Sequence, residues 1–161
     1  MVIKLISISL LFFLPSVASL PVEYIQYCNP RFSFCVEVPS DFIRERAPEN
    51  GDGNAFKSKD KKAEILAFGS LVANDNDDLN QEYQTATLSS QVTFKKITAN
   101  YFIFSGTEKN GDLVYRKTVR KKIDYMREPN TYVFQTLMIT YPKGSAAAYK
   151  SYCSVIAKSL Q

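Results

Sequence analysis

The chain has 161 residues, 45% of them hydrophobic, which is enough for one domain with a real core. Its net charge of +4 is too small for the concentrated basic footprint of nucleic-acid binding. There is no histidine, which removes Ser-His-Asp and Cys-His nucleophile activation, histidine-ligated metals and histidine pH switches.

In chain order, residues 1–18 read as a cleaved signal peptide. Lys4 supplies the positive start, "LISISLLFFLPSVA" the apolar run, and Ser16-Val17-Ala18 a small-x-small cleavage site. The run is shorter than the roughly 20 residues a membrane span needs, and no second segment is apolar enough to cross. The expectation is a single exported α+β domain over residues 19–161, periplasmic or secreted, with no stable membrane insertion after signal cleavage.

Export makes a disulfide available to Cys28, Cys35 and Cys153. Asn29-Pro30 signals a turn, and a reversal centred on Arg31-Phe32 sets Cys28 opposite Cys35, the favoured pairing. Pairing of Cys153 with Cys28 or Cys35, which would pin the last helix to the sheet, stays open. So does pairing between chains. Three scattered cysteines without histidine lack the spacing of a metal site.

"FSFCVEV", residues 32–38, alternates as a strand with one buried face: Phe32, Phe34, Val36 and Val38 on one side, Ser33, Cys35 and Glu37 on the other. Ser40 can cap a short helical turn through "DFIRER". "AFKSKD" and "AEILAFGSL" read as a hairpin around "KDKK". Asp77 or Asp78 can cap a helix whose apolar stripe is Leu79, Tyr83 and Ala86. Residues 92–97, 101–106, 112–123 and 131–141 form an antiparallel meander, with Asn110-Gly111 and Glu128-Pro129-Asn130 as turns. "YFIFS" is apolar on both faces and reads as a central strand covered on both sides. Pro142 to Ser145 ends the sheet, and Ser145 caps a last helix carrying the stripe Tyr149, Cys153, Ile156 and Leu160. The sum is an α+β domain: an antiparallel sheet, made of a hairpin plus a four-strand meander, with helices packed on it.

Chemistry-bearing patterns are sparse. In "ENGDGN", Asn50, Asp52 and Asn54 alternate as oxygen ligands do at the start of a calcium loop. The sixth position then holds Ala55 where glycine is required, and the twelfth holds Lys61 where glutamate is required. Phe56 stands where a dinucleotide loop needs its third glycine, and no Gly-Lys-Ser/Thr follows. The simpler reading is a tight loop whose Asn50, Gly51 and Gly53 permit positive φ. "NDNDD", residues 74–78, shows no complete ligand set and reads as a solvated helix start. Glu37, Glu64, Glu108 and Asp112 lie on different elements, and spacing alone pairs none of them for acid-base work. The run "YRKTVRKKI" puts Arg116, Arg120 and Lys122 on one strand face and Lys117 and Lys121 on the other. Such a face suits an acidic partner protein or anionic lipid; equally, charge protects an exposed strand from aggregation. The tyrosines, among them Tyr125, Tyr132, Tyr141, Tyr149 and Tyr152, fit both core packing and an interface.

The phrases "YCNPRFSFCVEVPSDF", "PENGDGNAFKSKDKKAEILAFGS" and "YPKG…YKSYCSVIAKSL" resemble small exported bacterial proteins of uncharacterised function. Lys61 stands where that resemblance has a glycine after Asp60. The order of elements also resembles the fold shared by the photosystem PsbP proteins and the Ran-binding Mog protein, whose members are mostly binding or assembly modules without a common catalytic site. The resemblance implies a PsbP/Mog-like binding or assembly module. With export, no histidine, no complete metal site and a charged strand surface, the reading is a non-enzymatic periplasmic module with no cofactor and a protein partner, sharpest as an immunity protein against an envelope-directed toxin. Arg116, Arg120 and Lys122 are the expected contact residues. The alternative is a periplasmic small-ligand or divalent-metal binder using the Asn50–Asn54 loop.

Overall fold

The computed structural model describes residues 22–72 and 79–160. The expected signal peptide and the acidic run 74–78 lie outside the described residues, as do the proposed caps Asp77 and Asp78.

Among the described residues there are two sheets, and every strand pair in them is antiparallel. The first is a free-standing hairpin of β1 (Tyr24–Asn29) and β2 (Phe34–Pro39). Its register places Cys28 directly opposite Cys35, and the two form the disulfide. Cys153 is a free thiol. Phe34, Val36 and Val38 point into the core while Cys35 and Glu37 face out, the alternation a half-buried strand imposes. Phe32 is buried as well, but it belongs to the turn, not the strand.

The second sheet has seven strands in the order β3-β4-β5-β9-β8-β7-β6. β3 (Ile43–Arg44), β4 (Gly53–Lys57) and β5 (Glu64–Leu71) run in from one edge. β6 (Ser90–Ile97), β7 (Tyr101–Glu108), β8 (Leu113–Tyr125) and β9 (Glu128–Tyr141) form the expected meander. β9 pairs with β5 and so joins hairpin to meander. Helix α1 (Leu79–Ala86) lies between β5 and β6 in sequence, and α2 (Ala146–Ser159) closes the chain after a 3-10 turn at Lys143–Ser145.

The two faces of this sheet have different covers. On one, Phe56, Ile65, Ala67, Val119, Val133, Leu137 and Ile139 pack against the β1–β2 hairpin and against Tyr152, Ile156 and Leu160 of α2. On the other, Leu79 of α1, with half-buried Tyr83 and Ala86, covers Phe102, Phe104, Val114 and Phe134. Each aromatic or large aliphatic side chain removed from water here contributes about 1.5–3 kcal/mol. On the first face Lys117 is also buried, its Nζ donating to the carbonyls of Ala157 (2.6 Å) and Leu160 (2.5 Å) at the end of α2. A cation there satisfies orphan carbonyls and complements the helix dipole, although burial pushes the Lys117 ammonium pKa down.

Several local expectations are corrected. "DFIRER" is not helical: a turn at Ser40–Asp41 leads to Phe42, which seats between the rings of Tyr149 and Tyr152, and β3 then pairs with β4. The open edge of β4 offers hydrogen bonds that a lone helical turn cannot match. The β8–β9 reversal sits at Met126-Arg127, both at positive φ (47 and 76), and Pro129 and Asn130 belong to β9. Neither residue is the Asn-Gly pair that normally signals such a turn. "YFIFS" is not central: β7 lies next to the β6 edge, with Phe102 and Phe104 buried under α1 while Tyr101 and Ile103 are only half-buried. Ser145 stands at the helix start but makes no side-chain cap bond. Lys61, which stands where the resemblance has a glycine, takes the left-handed conformation at φ 58. Asp60 accepts from the Ser58 hydroxyl (2.6 Å) and from the Lys62 N–H (3.1 Å), which lowers its pKa.

Candidate interaction face

β8 carries the basic run, and its register with β9 fixes where each cation goes. Arg116, Arg120 and Lys122 share the α1 side of the sheet and stand opposite Met138, Phe134 and Tyr132. β8 is an internal strand up to Val119, where pairing with β7 ends at Tyr101. Protection of an edge therefore does not explain Arg116 or Lys117. Beyond the Arg120 N–H, which reaches the Asn100 carbonyl at 2.8 Å, the run from Lys121 to Tyr125 pairs only with β9 among the described residues.

The three expected contact residues separate. Arg116 is an interior residue, its side chain 11% exposed, with Nη2 at 2.6 Å from Glu82 Oε1 on α1. Its Nε donates to Thr118 Oγ1 at 3.0 Å, and its guanidinium lies over the rings of Phe68 and Phe102. Burial pulls its pKa down, while the Glu82 carboxylate opposes that shift. Arg116 thus ties α1 to the sheet and has little surface left for a partner. Arg120 and Lys122 converge instead on one exposed ring. The Arg120 guanidinium lies 4.1 Å and the Lys122 ammonium 4.8 Å from the centroid of Tyr132, which is 38% exposed. Two cations stacked on one tyrosine make a positive, pre-oriented spot, and stacking costs Arg little of its hydrogen-bonding fork. Among the described residues no carboxylate forms an ion pair with either.

The "ENGDGN" loop lies toward the other edge. Gly51 has φ 66, the conformation that the glycine was expected to permit. The loop's oxygens do not converge on a cation. Asp52 Oδ1 pairs with Arg31 Nη1 at 2.8 Å, and Asp52 Oδ2 accepts from Asn50 Nδ2 at 2.7 Å. Asn54 turns the other way, into the core, where Nδ2 donates to the carbonyls of Glu45 (2.9 Å) and Ala55 (3.1 Å). Among the described residues no three His, Cys, Asp or Glu side chains cluster as a metal site would need. Arg31 is the organiser that the sequence did not reveal. From the β1–β2 turn it also donates to the Asn50 carbonyl, and its Nε and Nη2 reach Tyr125 Oη at 2.8 and 2.5 Å. Asn29 Nδ2 adds a bond to the Gly51 carbonyl at 3.1 Å. The loop is thereby clamped to the hairpin.

So held, the loop walls a groove of about 420 Å³ on the α1 side of the sheet. Ala55, Leu66 and Phe68 supply the floor, with Arg46, Pro48, Asn50 and Asp52 along the wall. Cross-strand pairing of Ala55 with Leu66 and of Gly53 with Phe68 brings these residues to one face. Gly53 is required by contact, since a Cβ there would stand 2.3 Å from the Ala67 carbonyl oxygen.

Comparison with protein-family models gives no match, and comparison with curated proteins gives none either. Among solved structures the chain is similar to the solution structure of cyanobacterial PsbP (CyanoP) from Synechocystis sp. PCC 6803, with a TM-score of 0.59 and 8% identity over 90% of this chain and 98% of that one. At that identity the likeness is one of fold. No helix among the described residues is long and apolar enough to cross a membrane. The chain has a PsbP-like α+β fold.

Proposed function

We propose that the protein is a non-enzymatic protein-binding module acting outside the cytoplasm, with Arg120, Lys122 and Tyr132 at the centre of its partner surface. The observation that carries this reading is the pair of cations stacked on one exposed tyrosine without a described carboxylate partner. Tyr and Arg are the residue types that dominate interface energetics, and a positive patch steers an acidic partner toward it. The export expected from residues 1–18 places that partner in the periplasm or outside the cell, and an envelope-directed toxin is its sharpest form, with this chain as the immunity protein. The expected Arg116 contact is replaced by Tyr132, because Arg116 is engaged by Glu82.

The test is charge reversal. Arg120→Glu with Lys122→Glu should weaken capture of the partner by about 100-fold and flatten its salt dependence, as loss of two interfacial charges implies. Arg46→Glu, a surface cation elsewhere, should leave capture intact. Equal affinity for wild type and the double variant would reject the surface.

A second reading, a small-ligand module, is supported by the groove over Ala55, Leu66 and Phe68. The divalent-metal form of that reading draws no support from the loop, whose Asp52 carboxylate is paired with Arg31.

A further inference from the structure

The groove beside the "ENGDGN" loop differs from the rest of the sheet's surface in three ways. Its floor is apolar and half-exposed: Leu66 and Phe68 of β5 and Ala55 of β4 face outward, and none of the three packs in the described cluster under α1, while the Arg116 guanidinium lies over Phe68. Its wall is fixed, because the Arg31 ion pair, the Asn29 bond and the turn from Pro48 to Gly51 hold the loop from both ends. Its charges are unequal. Asp52 is neutralised by Arg31, while Arg46 on the same wall has no carboxylate partner among the described residues. A volume of about 420 Å³ falls within the range of small-molecule sites, and an apolar floor with one oriented polar group is their usual composition.

We infer that this groove binds a small amphiphilic carboxylate, its apolar body on Ala55, Leu66 and Phe68 and its carboxylate on the Arg46 guanidinium. A planar two-oxygen anion matches the guanidinium fork, so a carboxylate is favoured over a cationic or neutral head group. The site is separate from the Arg120–Tyr132 patch, so either can fail without the other.

Decanoate and its neutral counterpart decanamide are suitable probes, titrated into the full-length protein and followed by backbone amide NMR and calorimetry. Saturable decanoate shifts confined to Ala55, Leu66, Phe68 and the residue 46–52 wall are expected. Arg46→Gln should weaken decanoate about tenfold, the size of one charge-assisted hydrogen bond, and leave decanamide, the weaker ligand, unaffected. Ala55→Phe, which fills the floor, should abolish both; if that variant does not fold, the exposed Arg46→Gln variant still decides. Arg120→Glu with Lys122→Glu should bind decanoate as wild type does. The inference is overturned if decanoate shows no saturation at millimolar concentration, if its shifts map elsewhere, or if Arg46→Gln changes nothing. It is also overturned if the groove amides shift with protein concentration alone, which would make a second copy of the chain the occupant.

Discussion

The two faces of the seven-stranded sheet come from the same strands and treat charge in opposite ways. Facing α2 and the β1–β2 hairpin, twenty buried residues form one core, and Lys117 within it caps the end of α2. Facing α1, the buried set is Leu79, Phe102, Phe104, Val114 and Phe134. Arg116 secures the helix there, while Arg120, Lys122 and the groove floor stay accessible. A period of two residues along β8 sorts these cations, since adjacent positions point to opposite faces. The difference teaches that a basic run read from sequence is not one surface. Here it is two structural anchors, Arg116 and Lys117, then Arg120 and Lys122 gathered on Tyr132, with Lys121 on the opposite face.

Point variants distinguish the closed face from the open one. The largest effect is expected on the closed face. Phe32→Ala should cost about 3–5 kcal/mol in denaturant unfolding, because Phe32 packs against Tyr125 and lies over Gly69. Leu66→Ala on the open face should cost less than about 2 kcal/mol, in keeping with its partial exposure. Comparable losses would erase the distinction. Glu82→Ala comes next, at about 3 kcal/mol, since it strands a buried guanidinium. Lys122→Ala, at an exposed position, should stay within about 0.5 kcal/mol on the same measurement.

Replacing Cys28 and Cys35 by serine should lower stability by about 2.5 kcal/mol, the chain-entropy value for a loop of this length. Alkaline titration supplies a different contrast. Burial raises the phenol pKa of Tyr115, Tyr141 and Tyr152 to about 12, and all three line the closed side. Between pH 10 and about 12 the unfolded chain releases these protons and the folded one keeps them. Stability is therefore complete below pH 10 and falls as pH rises through that window. Phenolate absorbance and circular dichroism recorded together should show the three phenols ionising along with loss of structure; their ionisation near pH 10 in a folded protein would contradict it. The smallest effect is a gain. Lys61→Gly should stabilise by about 1 kcal/mol in thermal unfolding, by relieving a left-handed lysine.

Much of the fold was legible because its signals are local. Alternation in "FSFCVEV" gave β2, Asn110-Gly111 gave the β7–β8 hairpin, and Asn29-Pro30 gave the reversal that joins Cys28 to Cys35. The site was less legible, because it depends on register. Placing the β8–β9 turn at residues 128–130 instead of 126–127 hides the pairing of Lys122 with Tyr132, and with it the stacked ring. The Arg116–Glu82 pair joins residues 34 apart, and the Arg31–Tyr125 contact residues 94 apart. No periodicity marks such contacts. "ENGDGN" was correctly read as a tight loop, but its use as a groove wall follows from Arg31, which the sequence marks only as a turn residue of the hairpin.

The partner surface is formed by Arg120 and Lys122 on Tyr132, and not by the whole basic run. The most direct measurement is partner affinity by surface plasmon resonance for three proteins: wild type, Arg120→Glu with Lys122→Glu, and Arg116→Met, which removes the interior cation while keeping its bulk. The account predicts a loss of about 100-fold for the double variant and less than about threefold for Arg116→Met. An Arg116→Met loss as large as that of the double variant, with the fold intact, would contradict it, as would a double variant that binds like wild type.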